Sequence, residues 1–158
     1  MFSKDLGIDL GTMFTRFADN NNVLLEEPTI VAIEVEDQKM VAAGIEARDM
    51  YGKVPESIEV ARPLRSGVIA DYEITETLLA YLLQRASGSM RIFRPRVMIS
   101  VPYGVTSVER RAVYEAVMEA GSREAYLIQQ PLAAAIGIDL PINSPSGNMI
   151  ICLGGGCT

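Results

Sequence analysis

The chain has 158 residues, 49% of them apolar, which is enough for one hydrophobic core. Its net charge of −6 excludes the basic face a nucleic-acid partner needs, and the absence of histidine excludes histidine-dependent catalysis. Cys152 and Cys157 lack zinc spacing and read as reduced thiols, and no apolar run approaches a membrane span or a signal peptide, so a cytoplasmic protein is expected.

Leu6 to Gly11 reads as a short apolar strand ending in a glycine turn, and Phe14 to Ala18 alternates as a returning strand. Asn20 to Asn22 supplies turn residues before a third strand at Val23 to Leu25. From Pro28 to about Asp71 the pieces shorten, with strands at Thr29 to Val35 and Lys39 to Ala43 and a small helix from Ile45 to Tyr51, which suggests an inserted subdomain. Ile74, Leu78, Tyr81 and Leu82 then share one helical face. A buried strand between prolines covers Pro95 to Pro102. Thr106 to Glu109 has the form of a capping box, opening a helix whose apolar face is Val108, Ala112, Val113, Ala116, Val117 and Ala120, ended by Gly121. Ala125 to Gln129 reads as a strand, Pro131 to Gly137 as a small alanine-rich helix, and Asn148 to Leu153 as a last strand.

Two turns carry chemistry. Asp9-Leu10-Gly11-Thr12 places a carboxylate at a strand end, followed by a turn whose amides can approach an anion; a phosphate with magnesium is the natural occupant, an ordinary polar turn the plain alternative. Gly154-Gly155-Gly156 follows an apolar strand and implies a close backbone approach, with a flexible terminus as the alternative. Neither has Walker or Rossmann spacing.

The order of elements, both turns and the segment Tyr126 to Gly137 resemble the superfamily of actin, heat-shock chaperones and sugar kinases. Gly7 to Thr12, Ala61 to Asp71, Pro95 to Pro102, Gly104 to Val113 and Pro145 to Met149 narrow this to the MreB family of bacterial actin-like cell-shape proteins. The resemblance implies an α/β fold, actin-like and ribonuclease H-like, with a mixed five-stranded sheet, helices and a small inserted α+β subdomain. It divides the chain into subdomain IA at residues 1–29 and 72–147, subdomain IB at residues 30–71, and the first strand and phosphate loop of a truncated second domain at residues 148–158.

What the family does supplies the remaining expectations. ATP or ADP would bind with Mg2+, through Asp9 acting on the metal via water and Gly11, Thr12, Met13, Gly154, Gly155 and Gly156 on the phosphates. The isolated chain would bind weakly or not at all, because the adenine pocket would lie beyond Thr158. Gln130 is the candidate catalytic residue; it stands where the family usually has Glu and can position water without taking its proton. Cys152 stands where the family has Asp, and a thiol is a poor magnesium ligand. Ile92 and Phe93, between Arg91 and Arg94, suit a loop that dips into the inner membrane leaflet, or else Phe93 packs inward. Arg62, Arg65 and Asp71 read as a solvated linker that the family would place beside the cleft. Met13 either crowds the phosphate turn or lies at the surface.

The expected function is that of a cytoskeletal protein, peripheral to the inner face of the cell membrane. Its partners would be copies of itself or full-length MreB-like subunits and the membrane surface, with no nucleic acid. The alternatives are a non-hydrolysing module that binds or caps filaments of a full-length relative, and a sugar-kinase-type phosphotransferase.

Overall fold

The computed structural model describes residues 4–20, 22–88, 94–145 and 147–158. Leu6, Ile8 and Leu10 point to one side of β1 (Asp5–Leu10), which turns through Gly11 into β2 (Phe14–Asp19) and then β3 (Asn22–Pro28). Both pairings are antiparallel. β4 (Val31–Glu34), β5 (Lys39–Ala43), α1 (Ile45–Met50) and β6 (Ile58–Ala61) follow, and the three strands form a separate sheet in the order β5-β4-β6. β7 (Leu64–Arg65) and β8 (Val68–Ile69) make a hairpin around Ser66 and Gly67, both with positive φ.

The long α2 (Tyr72–Ser87) leads to β9 (Arg96–Val101), α3 (Ser107–Glu119), β10 (Glu124–Gln129) and α4 (Gln130–Gly137). β9 and β10 run parallel, on the far side of β1 from β2, which completes a mixed five-stranded sheet in the order β10-β9-β1-β2-β3. Parallel neighbours need a crossover, and α2 and α3 supply one each.

The core lies on one face of this sheet. Leu6, Ile8, Leu10, Phe17, Val97 and Ile99 pack against Leu78 and Leu82 of α2 and Val113, Ala116 and Val117 of α3. Each fully buried leucine contributes about 2 kcal/mol. Ile74 and Tyr81, expected on the same face of α2, are partly buried at its margin. The capping box on α3 is complete: the Thr106 hydroxyl accepts from the Glu109 amide, and Glu109 accepts from the Thr106 amide. Val108 departs from the reading, being 75% exposed. It stands in the first turn of α3, before the helix reaches the sheet; the core face begins further along, with Val113.

β4 serves two cores, because alternation sends Val31 and Ile33 to the main one and Ala32 to a smaller cluster with Ile30 and Ala47. At the junction Glu27 is 4% exposed; its carboxylate accepts from the Ile45 amide at 3.0 Å and from Arg85 of α2 at 2.7 Å. Gly44, at φ 66°, leaves room for that carboxylate, since a Cβ there would lie 2.9 Å from Glu27 Cδ.

Two further readings need correction. Residues 148–153 form no strand, because among the described residues no segment runs alongside to make a ladder; Met149, Ile151 and Leu153 are exposed instead. Asp71 is not solvated linker but the N-cap of α2, accepting from the Ile74 amide at 3.1 Å. Ile92 and Phe93 lie outside the described residues.

Candidate functional site

The face of the sheet opposite the core is polar along one row. Strand registers set Asp9 of β1, Arg16 of β2 and Glu26 of β3 side by side, and Ser100 of β9 lies against Asp9 one residue past the last β1–β9 pair. Their side chains form a chain of hydrogen bonds. The Ser100 hydroxyl donates to Asp9 Oδ1 at 3.0 Å, Arg16 Nη1 donates to Asp9 Oδ2 at 3.3 Å, and Arg16 Nε donates to Glu26 at 2.6 Å. The bond that Arg16 donates to Glu26, with Asp9 adding to it, raises the pKa of Arg16 further above its already high value.

Asp9 and Arg16 open onto a cleft of about 870 Å³. The same cleft is lined by Gly11, Thr12 and Met13, by Gln130 at the start of α4, and by the run from Cys152 to Thr158. Every cofactor-binding residue expected from the sequence therefore borders one space, together with Gln130 and Cys152.

The first turn is stitched in place. Gly11 donates to the Phe14 carbonyl at 3.1 Å, and a Cβ on Gly11 would come 2.7 Å from that oxygen. The Thr29 hydroxyl donates to the Gly11 carbonyl at 2.7 Å, and the Thr29 amide to the Met13 carbonyl at 2.9 Å. Arg62 Nη1 points at the carbonyls of Thr12, Met13 and Thr29, at 3.3, 3.4 and 3.1 Å. The Gly67 amide donates to the Thr12 hydroxyl at 2.9 Å. Arg62 is thus a clamp on the turn rather than a solvated linker residue.

The second turn closes on itself through the Gly154 amide and the Cys157 carbonyl, 2.9 Å apart. It rests on the first: a Cβ on Gly155 would come 3.1 Å from Met13 Cβ, and one on Gly156 2.7 Å from Thr12 Cβ. Met13 therefore covers the second turn. The Cys157 thiol lies 4.0 Å from Gln130 Oε1.

The donor set fits a phosphate better than a divalent metal. Glycine positions bring backbone up to the cleft, and Arg16 is its lining cation. For a metal, Asp9 already uses both oxygens on Ser100 and Arg16, Glu109 is taken by the capping box, and Cys152 offers sulfur where hard cations want oxygen. Among the described residues no group of three His, Cys, Asp or Glu could hold a metal ion.

Sequence reading missed Arg16 and Thr29 as parts of this site, and set Arg62 beside the cleft only through the family resemblance. Period-2 parity held the signal for Arg16, since Thr15 and Phe17 face the core and leave Arg16 on the side of Asp9. Arg62 and Thr29 reach the turn across separate elements, and no local pattern marks them.

A family model described as MreB/Mbl protein matches residues 3–158. Over 164 residues the chain is 44% identical to the cell shape-determining protein MreB of Haemophilus influenzae, covering 100% of this chain and 47% of that protein. It spans about half the length of the curated relatives it matches. Among solved structures, MreB5 of Spiroplasma citri bound to ADP aligns with a TM-score of 0.75 at 29% identity, over 85% of this chain and 40% of that one. The MamK double helical filament aligns with a TM-score of 0.76 at 19% identity, over 90% of this chain and 46% of that one, a likeness of fold.

Proposed function

The chain belongs to the MreB/Mbl family and has an actin-like fold, and from that premise we propose that it supplies the first half of an actin-type cytoskeletal protein. Such a protein binds ATP or ADP between two domains, assembles into membrane-associated filaments and helps determine cell shape. The observation that carries the reading is the cleft in which Asp9, the first turn, Gln130 and the second turn face one another. The backbone of both turns would hold the phosphates, with Gln130 orienting a water. Glutamine is no base, so hydrolysis would be slow at most.

In this reading residues 1–29 and 72–147 form one subdomain, residues 30–71 a second, and residues 148–158 lead into the other half of the cleft. Met149, Ile151 and Leu153, now exposed, would be covered there. The nucleotide-bound relative from Spiroplasma citri supports the ligand class, and the MamK filament supports self-association. No helix among the described residues is long and apolar enough to cross a membrane, so a membrane-associated filament would sit against the bilayer peripherally, with Ile92 and Phe93 as the candidate contact.

Sedimentation of the chain with and without ATP tests the proposal. Nucleotide-dependent pelleting of the chain alone is the expected result, whereas pelleting only alongside a full-length MreB would favour the filament-binding module. Pelleting that ignores nucleotide in both settings would sink it.

A further inference from the structure

We infer that Arg16 is the anion-binding group of this cleft, and that it lets the site hold the polyphosphate of a nucleotide without help from a divalent metal ion. The inference rests on the nucleotide reading above and concerns how the phosphates are held.

Three observations carry it. Arg16 is the one lysine or arginine among the described residues lining the cleft, and it lies on the same sheet face as Asp9. A guanidinium presents five N–H donors in a planar fork; Glu26 and Asp9 engage Nε and Nη1, which leaves donors for a phosphate oxygen. Those two acidic partners also hold the side chain in one orientation, so little rotamer freedom remains to be lost on binding.

Arg16 Nη1 stands 3.3 Å from Asp9 Oδ2, so a cation placed at Asp9 would meet a fixed positive charge at close range. Asp9 is only half-exposed, with a side-chain accessibility of 46%, and its other oxygen is taken by Ser100. Cys152 adds no oxygen ligand. A site whose carboxylate is already engaged by Ser100 and Arg16, and which presents a guanidinium beside glycine turns, suits a polyphosphate held without a metal ion.

Calorimetric titration of the full 158-residue chain tests this. The probes are ATP and inorganic tripolyphosphate, each taken to millimolar concentration, in magnesium and in EDTA. The expected result is a Kd in EDTA within about threefold of that in magnesium for both probes, and a loss of about tenfold or more in Arg16→Leu. Arg16→Lys keeps a charge and should retain most of the affinity, which separates lost binding from lost folding. Wild-type binding that collapses in EDTA, or Arg16→Leu binding as well as wild type, overturns the inference while leaving nucleotide binding intact. Tripolyphosphate binding through Arg16 without ATP binding would instead keep the inference and overturn the nucleotide reading. No binding of either probe at millimolar concentration overturns the inference.

Discussion

The two glycine turns that face each other across the cleft are held in different ways. The first is fixed by partners from three other parts of the chain: Thr29 after β3, Arg62 after β6 and Gly67 in the small hairpin. The second makes one backbone hydrogen bond within itself and otherwise leans on Thr12 and Met13, with the Cys157 thiol beside Gly67 and Gln130. The lesson is that a turn's partners, rather than its glycines, decide how firmly it is held. The first turn is part of the folded framework, while the second takes its position from the first and from whatever fills the space between them.

Replacing the clamp should break that contrast most severely. In Arg62→Met three carbonyls lose a charged donor, and hydrogen bonds to charged groups put the loss at about 2–3 kcal/mol of stability. Denaturant unfolding reads the change. A loss below about 0.5 kcal/mol, the level of an ordinary surface substitution, would show that the turn holds itself.

How much of this arrangement the sequence disclosed depends on whether the determinant is local. β1, β2 and the α3 capping box are legible because alternation and the Thr106–Glu109 spacing act within a few residues. The hairpin of β7 and β8 passed unread although Ser66-Gly67 is a two-residue turn sequence, because strands of two residues carry no periodicity. Residues 148–153 misled for the opposite reason: their apolar pattern is that of a strand, but strand structure is conferred by a neighbour. The site residues Asp9, Gly11 and Gly154 to Gly156 were legible as turns and became a cleft through family resemblance. Arg62 was set beside the cleft by resemblance alone, and its clamping role was not legible because its partners are 33 to 50 residues away.

A control away from both turns sets the scale. Tyr72 on α2 donates its hydroxyl to Glu119 on α3 at 2.8 Å. Removing that bond in Tyr72→Phe should cost about 0.5–1 kcal/mol and leave ligand binding unchanged. Burial, then the bond to Glu119, raises the phenol from 10.0 to about 12. A folded-state pKa above the unfolded one means the contribution is complete below pH 10.0 and is lost as pH climbs toward 12. Wild-type stability should therefore fall relative to the variant across that alkaline window. Parallel curves for the two proteins would show that Tyr72 and Glu119 are not coupled.

The smallest change in stability belongs to the second turn and separates the two turns most sharply. Gly156 needs no left-handed backbone; only the closeness of Thr12 excludes a side chain. Alanine there should push the second turn away from the first and leave the core untouched, so that unfolding free energy moves by less than about 0.5 kcal/mol. Displacement has its own reporter, because the Cys157 thiol is seated near Pro102 and Gly67, where a Cβ on Gly67 would lie 2.9 Å from the sulfur. Moving the turn uncovers that sulfur, and thiol labelling of Cys157 in a Cys152→Ser background should quicken in Gly156→Ala. If stability instead dropped as far as in Arg62→Met, the second turn would be framework as well. If labelling stayed at the wild-type rate, the two turns would not depend on each other's contact.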